Sequence, residues 1–330
     1  MTLLNSNHVL LWRQILRTNF TNLTTLLHYL ELENDPSAVA LTNPRFSLNL
    51  PVRLAQKIEK KTWDDPILKQ FLPVPGENIQ TTGFTHDPVG DQACQKSSKL
   101  LHKYQGRALL VCTSACAMHC RYCFRQNFEY DSSNKIFENE IQLLKQDSSI
   151  KEIILSGGDP LSLSDPILEE LLANLCSIEH IKMIRFHTRF PVGIPERIDS
   201  GFLSILSRCP LQIWFVIHTN HPRELDKDVL HAMRNLQKQG ITILNQSVLL
   251  RGVNDDVKTL KELSERLVES GIVPYYLHQL DRVQGTAHFE VEEDKGRALV
   301  QELTKQLPGY AVPKYVREIA GQPNKTYLMP

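Results

Sequence analysis

Residues 108–123 read Ala108-Leu-Leu-Val-Cys-Thr-Ser-Ala-Cys116-Ala-Met-His-Cys120-Arg-Tyr-Cys123. An apolar run with strand character, Ala108–Cys112, passes within a few residues into three crowded cysteines. Five more strand-like runs follow at Glu152–Leu155, Met183–His187, Ile213–His218, Thr242–Val248 and Pro274–Leu277. Between them lie stretches whose apolar residues recur with the 3.6-residue period of a helix. In Asp165–Cys176 the shared face is Ile167, Leu168, Leu171, Leu172 and Leu175, with Asp165 expected as the N-cap and Pro166 in the first turn. In Arg223–Gln239 it is Leu225, Val229, Leu230, Met233 and Leu236, stopped by Gly240, and in Asp256–Ser270 it is Val257, Leu260, Leu263, Leu267 and Val268.

Six strand–helix units in succession predict a parallel sheet, because each helix returns the chain to the same end. Six are too few for an eight-stranded barrel, so the pattern predicts an α/β fold built as a partial, open (βα)6 TIM-like barrel. Polar residues gather just after the strands: Cys116–Arg125, Gly157-Gly158-Asp159, Thr188-Arg189, His218–His221 and Asp281. Parallel α/β folds place their sites there, at the carboxyl ends of the strands. Residues 1–105 read differently. Val9–Leu16 and Thr21–Leu32 have helical patterns, and Pro44, Pro51, Pro66, Pro73, Pro75 and Pro88 then break the chain. The expected organisation is an N-terminal helical cap and strap over 1–105, then a barrel over 106–330.

Lys plus Arg and Asp plus Glu both number 37, a formal net charge of zero over 330 residues. That balance offers no field to hold a nucleic-acid backbone or an anionic membrane. Arg13 and Arg17 interrupt the first apolar segment, unlike a signal peptide, and no run approaches the ~18 apolar residues of a membrane span. Seven cysteines, three of them crowded together, do not form a disulfide framework. These features predict a cytoplasmic protein with reduced thiols.

The C-x3-C-x2-C spacing suits three ligands of a cubane iron–sulfur cluster with one iron left open. Zinc is the competing ligand, with Cys112 or His119 near enough in sequence to complete its shell. The cysteine run ends Cys120-Arg-Tyr-Cys-Phe-Arg125 and is followed by Ile154-Leu-Ser-Gly-Gly-Asp-Pro-Leu161. Together these resemble the radical S-adenosylmethionine superfamily. His187-Thr-Arg-Phe-Pro-Val192, His218-Thr-Asn-His-Pro222, Asn245-Gln-Ser-Val-Leu-Leu-Arg-Gly252 and Tyr275-Tyr-Leu-His-Gln-Leu-Asp281 are similar to runs of its lysine 2,3-aminomutase family, over residues 100–330. The short C-terminus looks most like the branch that supplies (R)-β-lysine for modification of elongation factor P.

The resemblance implies three cofactors. A 4Fe–4S cluster would sit on Cys116, Cys120 and Cys123, with S-adenosylmethionine on its open iron. Pyridoxal 5′-phosphate would be held as a Schiff base by Lys325, in Gly321-Gln-Pro-Asn-Lys325, where the family has a more glycine-rich run. Arg107 matches an arginine near the cofactor phosphate, and Gly157, Gly158, Asp159, His218 and Gln246 match cofactor-binding positions. For a lysine substrate, Arg125 matches the group that grips the carboxylate, and Asp281 and Glu318 match two acids around the ε-ammonium. Glu318 stands where the family has an aspartate. The implied reaction moves the amino group of L-lysine from the α- to the β-carbon after hydrogen abstraction by a 5′-deoxyadenosyl radical. No cysteine follows Cys209, so the zinc site of the longer family members is expected to be absent. Expected partners are L-lysine, an electron donor such as flavodoxin or ferredoxin, and elongation factor P with its lysyl ligase, without nucleic acid or membrane. Two other readings stay open: an aminomutase acting on another amino acid, and a non-catalytic iron–sulfur or zinc protein that binds a translation factor.

Overall fold

The computed structural model describes residues 11–33, 44, 46–131 and 133–328. Its frame is a ten-stranded sheet whose strands lie side by side in chain order. β1 (Gln95–Ser97), β2 (Leu100–Tyr104) and β3 (Arg107–Val111) form an antiparallel meander. From β3 the sheet is parallel through β4 (Glu152–Ser156), β5 (Met183–Thr188), β6 (Gln212–Ile217), β7 (Thr242–Val248), β8 (Val273–His278) and β9 (Lys314–Arg317). β10 (Thr326–Tyr327) turns back antiparallel on β9. The six expected strands are all present within a residue or two. The seventh parallel strand, β9, escapes sequence reading because Lys314-Tyr-Val-Arg317 is short and has charged ends.

Before the sheet come α1 (Leu11–Arg17), α2 (Leu23–Tyr29), α3 (Val52–Ala55) and α4 (Pro66–Lys69); Val9 and Leu10 lie outside the described residues. The crossovers carry α5 (Glu138–Gln146), α6 (Asp165–Cys176), α7 (Phe190–Gly193) with α8 (Ser200–Ser207), α9 (Lys227–Gln237), α10 (Val257–Glu269) and α11 (Glu293–Gln306). Asp226 caps α9 by accepting from the amides of Asp228 and Val229, and Asp256 caps α10 through the Thr259 amide. The expected cap of α6 is corrected: Ser164 holds the N-cap position, and the Asp165 carboxylate instead forms an ion pair with Arg197 Nη2 at 2.8 Å. That buried guanidinium needs a countercharge more than the helix start needs a cap. None of the described helices is long and apolar enough to cross a membrane.

Period-two alternation sorts the strand residues. Ile153, Leu155, Ile184, Phe186, Phe215 and Ile243 are buried in the main core with Leu168, Leu171, Leu175 and Phe202 of the helices. Phe186 stacks on Phe215 at 4.7 Å between centroids, and Phe202 meets both rings edge-on. The alternate residues, among them Ile154, Ser156, Arg185, His187, Trp214, Leu244 and Gln246, face a cavity. The inner face therefore mixes polar side chains among apolar ones, which the apolar strand runs did not suggest.

Candidate active site

All thirteen residues singled out from the sequence as site candidates line one cavity of about 800 Å³ inside the sheet's curve. That volume is toward the upper end of small-molecule sites.

At the carboxyl end of β3, Cys116, Cys120 and Cys123 are free thiols. Burial raises Cys116 well above an ordinary thiol and Cys123 to about 11. Burial raises Cys120 too, opposed by Arg189, whose Nη1 donates to its Sγ at 2.9 Å. Arg189 is held in turn by Glu224 at 2.8 Å, Gln70 at 2.7 Å and the Tyr122 hydroxyl. The two candidate fourth zinc ligands do not reach the cavity. The Cys112 thiol lies 3.5 Å from the Leu110 carbonyl, and His119 bonds Ser47 and stacks on Phe46. Three soft ligands with no fourth Cys or His beside them among the described residues fit a cluster with an open corner better than a closed zinc shell.

The loop after β4 packs against this cysteine loop. Gly158 donates to the Thr113 carbonyl at 2.6 Å and Asp159 to that of Ala115 at 2.8 Å. A Cβ on Gly157 would lie 2.7 Å from the Thr113 oxygen, and one on Gly158 2.7 Å from the Ser114 carbonyl carbon. Gly157 also has φ +120, a conformation that disfavours side chains. Both glycines are thus required for the loop contact itself. The Asp159 carboxylate accepts from Thr188 Oγ1 and the amides of Leu161, Arg189 and Phe190, all at 2.8–3.0 Å, and so ties the β4 and β5 loops together. Burial nonetheless pushes Asp159 up to about 6.

Three imidazoles from β5, β8 and the segment after β6 meet in the interior. Nε2 of His187, His218 and His278 is buried without a hydrogen-bond partner. Burial lowers all three, His218 to about 3, so the rings are neutral and can each donate or accept toward a ligand. Sequence reading selected only His218; the inward positions of His187 and His278 follow from strand parity. Deeper, Arg107 lies over the Tyr104 ring at 4.8 Å and forms no ion pair among the described residues, whereas Arg185 pairs with Glu152 at 2.9 Å. Among the described arginines of this wall, Arg107 is thus the one without an ion pair.

The remaining wall is a chain of alternating charge. Arg125 Nε donates to Asp91 at 2.8 Å, and Lys103 bridges Asp91 at 3.0 Å and Glu318 at 2.9 Å. The other Glu318 oxygen is paired with Lys325, whose side chain is only 23 % exposed. Burial works against the Glu318 carboxylate, but Lys325 and Lys103 carry it well below its ordinary range. Asp281 has no cation bonded to it among the described residues, and burial raises it to about 7 despite Lys325 nearby. Asp91 and Lys103 were missed from sequence, being lone charges in the strap and on a short strand.

The buried thiols, the uncommitted Arg107, the enclosed Lys325 amine and the unpartnered imidazoles fit the cluster, adenosylmethionine and pyridoxal phosphate. Comparison with known proteins agrees. The model of the radical SAM superfamily matches residues 110–263. The chain is 41% identical to the L-lysine 2,3-aminomutase of Haemophilus influenzae, over 96% of this chain and 94% of that protein. It is 41% identical to the Escherichia coli protein of the same name, with the same coverage. The Clostridium subterminale L-lysine 2,3-aminomutase is 32% identical, over 97% of this chain and 78% of that protein. With such identity along nearly its whole length, the chain belongs to the L-lysine 2,3-aminomutase family of radical SAM enzymes.

Proposed function

We propose that this protein is an L-lysine 2,3-aminomutase, an isomerase that converts L-α-lysine to β-lysine. The observation that carries the reading is the charge pattern of one cavity: a wall that runs from buried Arg125 to the carboxylates of Glu318 and Asp281 and the Lys325 amine, and three cluster-competent thiols beside it. Family membership implies a 4Fe–4S cluster, S-adenosylmethionine and pyridoxal phosphate. When bound, these supply one-electron chemistry at the cluster and a conjugated ring that lowers the energy of radicals on the substrate.

In this reading Cys116, Cys120 and Cys123 hold the cluster, and Gly157 and Gly158 bring the next loop close enough to shape the adenosylmethionine site. His218 and Gln246 face the same space. Lys325 carries pyridoxal phosphate, and Arg107 receives its phosphate group. Arg125 presents a planar fork to the substrate carboxylate. It is held by Asp91 and Ser156 and flanked by the Phe124 and Phe128 rings at 4.9 and 5.7 Å. Asp281 and Glu318 receive the ε-ammonium, which disfavours a substrate with a side-chain carboxylate. The barrel wall encloses the reacting atoms, so that stray hydrogen-atom donors are kept from the radicals.

The product is the (R) enantiomer, made in the cytoplasm for modification of elongation factor P. The match to almost the full length of the shorter E. coli and H. influenzae relatives supports this branch. The test is anaerobic turnover of L-lysine by reconstituted enzyme with adenosylmethionine, pyridoxal phosphate and a strong reductant, resolved by chiral chromatography. One β-lysine enantiomer is expected from the wild type and none from Cys120→Ala or Lys325→Ala. A fully loaded enzyme that cleaves adenosylmethionine yet leaves lysine unchanged would assign it another substrate.

A further inference from the structure

The sheet is an open barrel, and its two ends meet across a seam closed by side chains. β2 lies near one end of the strand order and β9 near the other. Lys103 of β2 reaches Glu318, the residue after β9, at 2.9 Å. Beside this contact, a Cβ on Gly90 would lie 3.0 Å from that of Ala320. The seam therefore brings the strap before β1 against the segment after β9.

The Lys103 ammonium donates to the Val89 carbonyl at 2.8 Å, Asp91 Oδ1 at 3.0 Å and Glu318 Oε1 at 2.9 Å. An ammonium has three protons, so all are committed and its position is fixed. Its side chain is 14 % exposed, which favours charged partners over water. The second Asp91 oxygen holds Arg125 Nε at 2.8 Å, and the second Glu318 oxygen holds Lys325. Arg125 and Glu318 are the groups read above as gripping opposite ends of the substrate. Three hydrogen bonds through Asp91 and Lys103 join them into one rigid span.

We propose that Lys103 is a specificity-determining positioning residue that sets the distance between the carboxylate grip and the ammonium grip, and so selects a six-carbon diamino acid over its five-carbon homologue. The proposal rests on the lysine aminomutase reading. Glu318 is one methylene longer than aspartate, and a free glutamate arm would sweep through several positions. Lys103 draws one of its oxygens back to the seam, and the other, on the cavity side, is held by Lys325. Asp91 does the same for Arg125, with one oxygen on each cation. A ruler fixed at both ends penalises a shorter substrate, because one of its charges must go unpaired in a buried site.

The experiment compares wild type, Lys103→Met and Lys103→Arg as anaerobically reconstituted holoenzymes, measuring kcat and KM for L-lysine and L-ornithine. Iron content and pyridoxal absorbance are matched first. For Lys103→Met, KM for L-lysine should rise at least tenfold while kcat changes less than threefold. Its lysine-to-ornithine ratio of kcat/KM should fall at least tenfold, and Lys103→Arg should keep that ratio within threefold of wild type. If Lys103→Met fails to fold, Asp91→Asn breaks the same span at its other joint and should lower the ratio likewise. Equal losses for both substrates would reduce Lys103 to a structural residue and overturn the proposal. Wild-type enzyme inactive on both diamino acids would instead remove the lysine reading, and the proposal with it.

Discussion

Asp281 sits at the carboxyl end of β8 with no cation bonded to it, among Lys325, Glu318, Lys103 and Asp91. Burial raises it to about 7, so it gains its charge only as pH rises through neutrality. If it reads the substrate ammonium, kcat/KM for L-lysine should fall roughly tenfold between pH 8 and pH 6, following its ionised fraction. Asp281→Asn should lower kcat/KM at pH 8 and flatten that limb of the profile. The stability sign is opposite. A raised carboxyl means that the folded state binds the proton more tightly, so stability is lost as pH climbs from about 4 to about 7, and the cost then stays constant. The ligand-free Asn variant should therefore melt at or above wild type at pH 8, a comparison that calorimetry makes directly. Arg125 gives a complementary test. Arg125→Lys keeps charge but loses the planar fork and its Asp91 geometry, so KM for L-lysine should rise at least tenfold in steady-state assays.

At the scale of elements, the loops after β3, β4 and β5 act as one platform. Asp159→Ala deletes bonds to three backbone amides and Thr188. With buried donors left unsatisfied, the loss should be about 3 kcal/mol, or roughly 6 °C in melting temperature. Gly158→Ala forces a Cβ into the Ser114–Ala115 backbone and should push the cysteine loop outward. Iron bound after anaerobic reconstitution should fall below about half of wild type, while the far-UV spectrum is unchanged. Much of this platform was legible in the sequence, because the cysteines, the glycine pair and the residues after each strand are local signals. The inward-facing polar residues were less so. Arg185, His187 and His278 alternate with core residues inside runs that read as apolar, and parity becomes visible only once strand boundaries are known. Likewise Asp165 stood where a cap is expected, but a distant buried Arg197 claimed its carboxylate.

At the scale of the whole molecule, the α/β class, the six central strands and the position of the site followed from local periodicity. The seam did not. Lys103 and Glu318 are 215 residues apart, and although Glu318 matches a family position, nothing in the sequence pairs it with Lys103. Their meeting depends on how far the open sheet curls, a global property that no local pattern encodes. The same curl places Lys325 and the acids within one cavity with the cysteine loop. The account's central claim is that lysine held at the seam lies within reach of the radical chemistry at the mouth. Supplying L-lysine deuterated at the β-carbon to the anaerobic holoenzyme and weighing the recovered 5′-deoxyadenosine tests this most directly. Deuterium is expected in 5′-deoxyadenosine and in adenosylmethionine alongside β-lysine. Unlabelled 5′-deoxyadenosine formed while lysine is consumed would contradict it.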